Sequence, residues 1–277
     1  MPVRIAIPMP HSTDREYGER AIPQYERAVE LAGAIPVRIP LDQSPAALKP
    51  LIESCHGVLL PGSNADVDPA KFSQDRRAHT AAADARREQV DFLLLDDVFA
   101  QRKPVLGICY GLQSLNVYRA GSLIQHIPDF LPEDTRTKVN HEAGKKVAVA
   151  HTVEIDRSSV LAKVICGDNR PRLSAERKLG TSLTEEEKRG IDRTLSAEGN
   201  GFVLPVNSSH HQSADAVGDG LRIVARCPED GIIEALEGTS PDHFVLAVQW
   251  HPERSVDEDP ASHKIFDALI AAAQKNR

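Results

Sequence analysis

Two short stretches carry side chains whose types and spacing could do covalent chemistry. The first is Gly107-Ile108-Cys109-Tyr110-Gly111-Leu112-Gln113, a thiol between two glycines. Taken alone, such a thiol is as readily a buried packing residue at the end of a core strand as a nucleophile. Its surroundings favour the nucleophile. Val105, Leu106 and Ile108 read as a short buried strand, and Leu112, Leu115 and Tyr118 or Arg119 recur at helical spacing, so Cys109 falls on the turn between them. A sharp strand-to-helix bend needs unusual dihedrals and close backbone approach, which Gly107 and Gly111 permit. Gly-x-Cys-x-Gly is then the cysteine form of a nucleophile elbow. The helix N-terminus aims unpaired N–H groups and partial positive charge at the sulfur, which serves a nucleophile and does nothing for a packing residue.

A catalytic cysteine needs a base and a group that orients the base. Among eleven histidines, His251 ends the apolar run V-L-A-V-Q-W, with Glu253 two residues on and Pro252 stiffening the link. If that run is a strand beside the elbow strand, His251 reaches the cysteine, and Glu253 accepts a hydrogen bond from the other ring nitrogen. That contact would fix the tautomer and stabilise the imidazolium.

The elements that must position these groups alternate along the first half of the chain. Strands are predicted over Val3–Pro8, Ile35–Ile39, Gly57–Leu60 and the elbow run, and helices over Pro23–Ala32, Ala46–Ser54 and Thr80–Gln101. This alternation predicts an α/β fold with a mostly parallel sheet and helices on both faces, its chemistry beyond the carboxyl ends of the strands. The second half reads differently. Strand-like runs at Val147–Ile155, Leu221–Ala225, Ile232–Leu236 and Val245–Trp250, then a helix over Ala261–Gln274, suggest antiparallel additions. Between them, Cys166–Pro205 is polar and weakly periodic and reads as an insertion in a single domain spanning 1–277. Thr184 and Glu187 have capping-box spacing within it. A lid, a homodimer contact and a solvated excursion are all open for this segment.

Composition narrows the classes. Lys plus Arg number 33 against 40 Asp plus Glu, a formal net charge of -7, and no basic block is present, so no nucleic-acid partner is expected. No apolar run approaches the ~20 residues of a membrane span. The opening M-P-V-R-I-A-I-P-M-P resembles a first core strand rather than a signal peptide. Cys55, Cys109, Cys166 and Cys227 are scattered without a C-x-x-C pair. That argues against a zinc site and a disulfide framework, and fits a reducing cytoplasm. No metal and no cofactor are expected.

G-I-C-Y-G-L-Q followed far downstream by Q-W-H-P-E resembles the class I glutamine amidotransferase superfamily. L-L-P-G-S-N-A-D-V-D-P from Leu59, V-N-S-S-H-H-Q from Val206 and D-G-I-I-E-A-L-E from Asp230 bring the resemblance to the gamma-glutamyl-gamma-aminobutyrate hydrolase family. The resemblance implies a flavodoxin-like three-layer αβα sandwich and hydrolysis of a small-molecule γ-glutamyl amide through a γ-glutamyl thioester. It makes Cys109 the nucleophile, His251 its base and later acid, and Glu253 the orienting carboxylate. The oxyanion would be held by the backbone N–H of Tyr110 and one from Gly62 or Ser63. Three departures are visible: Gly62-Ser63 stands where the family usually has Gly-Gly, the following loop is longer by Asn64 and Ala65 before Asp66, and Tyr110 stands where the family often has arginine.

Gln113 could meet the substrate's glutamyl end or cap a loop. His210 and His211 could line the pocket, or one could pack while the other is exposed. As neighbours they are a poor metal pair. Asp66 and Asp68 read as turn and cap residues rather than paired carboxylates. Two other functions compete with the free-standing hydrolase: a glutaminase subunit passing ammonia to a synthetase partner, and a non-catalytic binding module that has kept the fold. The H-H-Q segment and the lack of a fused synthetase favour the hydrolase; Tyr110 leans towards the glutaminase.

Overall fold

Short apolar runs that must bury both faces become the central strands. The computed structural model describes residues 2–145, 147–166 and 201–276. It runs β1 (Arg4–Pro8), α1 (Arg15–Leu31), β2 (Ile35–Ile39), α2 (Pro45–Glu53), β3 (Gly57–Leu60), α3 (Ala85–Gln101), β4 (Val105–Ile108) and α4 (Tyr110–Tyr118). The chain continues through β5 (Leu123–Ile124), α5 (Ile127–Phe130), α6 (Glu133–Arg136), β6 (His151–Asp156), α7 (Val160–Cys166), β7 (Gly201–Val206) and β8 (Ser213–Ala214). It closes with β9 (Leu221–Arg226), β10 (Ile233–Gly238), β11 (Val245–Val248) and a C-terminal helix, α8 (Pro260–Lys275).

Nine strands form one sheet in the order β2-β1-β3-β4-β11-β10-β9-β6-β7. The first five are parallel, in the doubly wound order of flavodoxin-like sheets. The remaining four are added antiparallel. Side-chain alternation divides the core into two layers. Ile5, Ile7, Leu106, Ile108, Leu246 and Val248 pack with α1, α7 and α8 on one face. Ala6, Val58, Leu60, Val105 and Ala247 pack with α2, α3 and α4 on the other. The expected αβα sandwich is therefore present. No helix of the described residues is long and apolar enough to cross a membrane.

Several boundaries differ from the sequence reading. α1 begins at Arg15, capped by the Asp14 side chain accepting from the Tyr17 N–H at 3.0 Å, and carries Pro23 in its interior. Ile22, Tyr25, Ala28 and Val29, buried on its inner face, pack the helix against the sheet through that proline. α3 starts at Ala85 rather than Thr80, because the Asp84 carboxylate caps it through the Arg86 and Arg87 N–H groups. β6 starts at His151, leaving Val147 and Val149 exposed. The last residues of the stretch read as an insertion form β7, paired along its length with β6. Pro205 disguises this strand in the sequence, and β7 tolerates it as the sheet's edge. The rest of that stretch, residues 167–200 with the Thr184–Glu187 capping box, lies outside the described residues.

Candidate active site

The elbow is built as a backbone device. Cys109 closes β4 with φ 54° and ψ -107° and sits at the N-terminus of α4. A non-glycine residue at positive φ is strained, by about 1–2 kcal/mol. The unusual dihedral thus falls on the cysteine itself, and the flanking glycines serve close approach. A Cβ on Gly107 would lie 2.8 Å from the Gly111 carbonyl carbon, and one on Gly111 would lie 2.2 Å from the Leu60 carbonyl oxygen of β3. Leu112 and Gln113 donate their N–H groups to the Cys109 carbonyl. The N–H groups of Tyr110 and Gly111 then remain as the helix's unpaired donors at the elbow.

β11 lies parallel to β4 with Val248 opposite Ile108, which carries His251 to the same sheet edge as Cys109. β3 flanks β4 on the other side and brings the Pro61-Gly62-Ser63 turn there. A Cβ on Gly62 would lie 3.2 Å from His251 Cε1 and 3.6 Å from Cys109 Cβ, which measures how tightly the three segments converge. The Gly62 N–H donates to the Tyr25 hydroxyl at 3.0 Å, so it is committed to the turn. Of the two expected oxyanion donors on that turn, Ser63 is the one whose N–H this bond does not occupy.

His251 and Glu253 are both buried, with Nδ1 and Oε1 2.7 Å apart. Burial by itself would depress the imidazole's pKa. The Glu253 carboxylate and the Cys109 side chain, which also hydrogen-bonds the ring, outweigh burial and raise it to about 9. Burial pushes Glu253 the other way from the net result: the imidazolium beside it holds its carboxyl below the usual range. Asn207 clasps the backbone of the same residue, its Nδ2 donating to the His251 carbonyl at 2.8 Å and its Oδ1 accepting the His251 N–H at 2.9 Å. Sequence reasoning quoted Asn207 within V-N-S-S-H-H-Q without giving it a role, because the partnership is 44 residues long-range.

A cavity of about 460 Å³ opens over these groups, lined among others by Cys109, Ser63, Gln113, His210, His211 and His251. A larger one, about 660 Å³, lies at the amino ends of β4 and β11 beside Pro104 and Val245 and contains none of them. Gln113 is buried, and its Nε2 donates to the Gln212 carbonyl at 3.2 Å, tying the H-H-Q loop to α4. The loop-holding reading of this residue therefore has a partner. His210 and His211 point apart: His210 is buried and meets Gln212 and Glu234, while His211 Nε2 contacts Asp66 Oδ1 at 2.9 Å.

Asp68 caps a short 3₁₀ turn, as expected. Asp66 does not; it accepts from the Ala81 N–H at 2.6 Å and fixes His211. Arg87 also escaped the sequence reading. It is wholly buried and donates to the Pro61 carbonyl at 2.7 Å and the Pro10 carbonyl at 3.0 Å while paired with Asp91. Its guanidinium lies 4.9 Å from the Tyr110 ring centroid. The ring of Tyr110 packs with Val67, Val117 and Leu123. Tyr110 therefore reaches the elbow through its backbone alone.

The chain is similar in sequence and in fold to known proteins. A glutamine amidotransferase-like protein of Rickettsia prowazekii is 29% identical over 256 residues, covering 90% of this chain and 88% of that one. The gamma-glutamyl-gamma-aminobutyrate hydrolase of Escherichia coli K12 is 28% identical over 257 residues, covering 91% and 85%. Among solved structures, a GMP synthase-type protein of Thermoplasma acidophilum superposes with a TM-score of 0.56 at 13% identity, over 99% of this chain and 96% of that one, a likeness of fold. The family model for Peptidase C26 matches residues 5–253, a span that holds the elbow, the Gly62-Ser63 turn and the His251–Glu253 pair, and the chain belongs to that class I glutamine amidotransferase-like family.

Proposed function

We propose that this chain is a free-standing cysteine hydrolase that cleaves the γ-glutamyl amide bond of small γ-glutamyl amines through a γ-glutamyl thioester. One observation carries the reading: three adjacent parallel strands bring a strained thiol at a helix N-terminus together with a buried His251–Glu253 pair. The name of the E. coli relative supports a γ-glutamyl acyl half.

In this mechanism the Cys109 sulfur, its proton held by His251, attacks the γ-carbonyl carbon. The carbonyl electrons move to oxygen, where the Tyr110 and Ser63 N–H groups stabilise the oxyanion. Collapse breaks the C–N bond as the His251 imidazolium protonates the leaving amine. His251, now neutral and still held by Glu253, takes a proton from water. The hydroxyl adds to the thioester, and the second collapse releases glutamate and restores the sulfur–imidazolium pair. Each step uses only side chains and backbone of this chain, the substrate and water.

The experiment is a panel of γ-glutamyl amides and glutamine incubated with the purified chain alone and with Cys109→Ala. Release of amine by the wild type and not by the variant supports the proposal. Hydrolysis of glutamine alone would transfer the assignment to a glutaminase. The sequence feature that leaned that way, Tyr110, has its ring buried away from the cavity. Absence of any turnover would leave a binding module.

A further inference from the structure

Behind the H-H-Q loop, four buried side chains from four separate segments converge: His141 after α6, His151 opening β6, His210 after β7 and Glu234 on β10. Their ligand-type atoms, one from each, all lie within 4.8 Å of one another. From Glu234 Oε1, the distances are 3.1 Å to His141 Nδ1, 3.4 Å to His151 Nε2 and 3.4 Å to His210 Nε2. All three nitrogens and both Glu234 oxygens are buried, with no hydrogen-bond partner among the described residues. Five such atoms in one place are costly unless something joins them, since an unsatisfied buried polar group costs about 1–3 kcal/mol.

The opposite edge of each imidazole shows what is missing. His151 Nδ1 lies 2.9 Å from the Thr152 carbonyl and His210 Nδ1 lies 2.8 Å from the Gln212 carbonyl. A carbonyl only accepts, so each Nδ1 carries the proton and each Nε2, in the neutral ring, turns a lone pair towards Glu234. His141 Nε2 lies 2.7 Å from Asp230 Oδ2; in the neutral ring this contact places the proton there and frees Nδ1 in the same way. Protonating all three inward nitrogens would bury three imidazolium ions against two carboxylates. A single divalent cation accepts every lone pair and balances Glu234 and Asp230. The spacing agrees: metal–ligand distances of about 2.0–2.1 Å in a tetrahedron put ligand atoms about 3.3 Å apart. Outer hydrogen bonds that fix ring and tautomer are the regular accompaniment of metal-binding histidines.

We propose that His141, His151, His210 and Glu234 bind one divalent transition-metal ion, zinc being the best match to three imidazoles and a carboxylate. With four buried protein ligands completing a tetrahedron, the ion is structural. It rivets the segment carrying His210 and the pocket-lining His211 to the sheet through Glu234, and it stands apart from the thioester chemistry.

The test is metal analysis of the full, tag-free chain produced with zinc, before and after dialysis against a weak chelator, followed by reconstitution of stripped protein with Co(II). About one equivalent per chain in the wild type is expected, with the visible d–d absorption of tetrahedral Co(II) and no thiolate charge-transfer band. Glu234→Gln and His151→Ala should lose the metal. Asp230→Asn, which keeps all four ligands, should bind about 10- to 100-fold more weakly. Two nearby groupings serve as controls: His79→Ala for the exposed His79–His126–Asp129 cluster and Cys227→Ser for His141–Cys227–Asp230. Wild-type protein that takes up no metal, or metal that is lost with either control variant and kept by His151→Ala, overturns the proposal. The wild-type stoichiometry decides the matter even where a variant fails to fold.

Discussion

Replacing Glu253 by Gln keeps an amide oxygen for the His251 Nδ1–H and removes the charge. In the wild type that carboxylate, together with the Cys109 side chain, outweighs burial and holds His251 at about 9 against its ordinary 6.5. Other groups facing the pair include the Arg254 guanidinium, 3.7 Å from Glu253, and the neutral hydroxyls of Tyr25 and Tyr17, whose pKa values are both held high by burial and by the nearby Glu253 and Cys109. At pH 7.5 a histidine titrating at about 9 is about 97% protonated and one at 6.5 about 9%, a loss of about tenfold in the imidazolium that the proposed mechanism uses as its acid. Burial without the compensating carboxylate deepens the loss. Below about pH 6 both forms are mostly protonated and the gap narrows to less than about twofold. The measurement is kcat and kcat/KM for γ-glutamyl-γ-aminobutyrate from pH 5.5 to 10. The wild type should lose activity through an alkaline limb near 9, and Glu253→Gln should move that limb down. Stability should follow the same linkage. A folded-state pKa raised above 6.5 contributes stability that is complete below 6.5 and is lost as pH rises through about 9. The variant should lack that alkaline decline. An unmoved limb near pH 9 in a folded, active Glu253→Gln would refute the argument that this carboxylate sets the protonation of His251.

Cys109→Ala and Cys109→Gly should both abolish turnover, but the glycine variant should be at least as stable in denaturant unfolding, because relief of about 1–2 kcal/mol of strain at φ 54° outweighs the roughly 0.5–1 kcal/mol of extra backbone entropy that glycine loses on folding; a glycine variant less stable than the alanine one by that entropy would remove strain from the elbow. Gly111→Ala drives a methyl to 2.2 Å from the Leu60 carbonyl oxygen and should cost about 3 kcal/mol or more, or prevent folding, as read by thermal melting. Asn207→Ala leaves the buried His251 N–H and carbonyl without partners, so stability should fall by about 1–3 kcal/mol and kcat should fall more than KM rises. An Asn207→Ala enzyme with wild-type kcat would show that Pro252 and Glu253 alone hold the ring.

Much of the frame is written locally. The apolar runs Gly57–Leu60 and Val105–Ile108 coincide with observed strands because a strand buried on both faces has no alternative to being apolar throughout. The elbow was legible because strand, glycine, cysteine, glycine and helix follow one another within a few residues. The pairing of Cys109 with His251 needed only one further inference, that the last core strand lies beside the elbow strand, and β11 does. The misses share a cause. α1 runs through Pro23, and β7 contains Pro205, because burial and an edge position decide what a local rule forbids.

The sequence by itself therefore determined the alternation of strand and helix, the turn that carries a thiol, and the two residues that accompany His251, all of which depend on neighbours within about one helical turn. Tertiary structure decided the rest. It commits the Gly62 N–H to Tyr25, clasps His251 with Asn207, holds the Pro61 carbonyl with buried Arg87, and gathers His141, His151, His210 and Glu234 around one point. Each of these contacts joins residues from separate elements, and the order in which strands pair, not the distance along the chain, sets which of them meet.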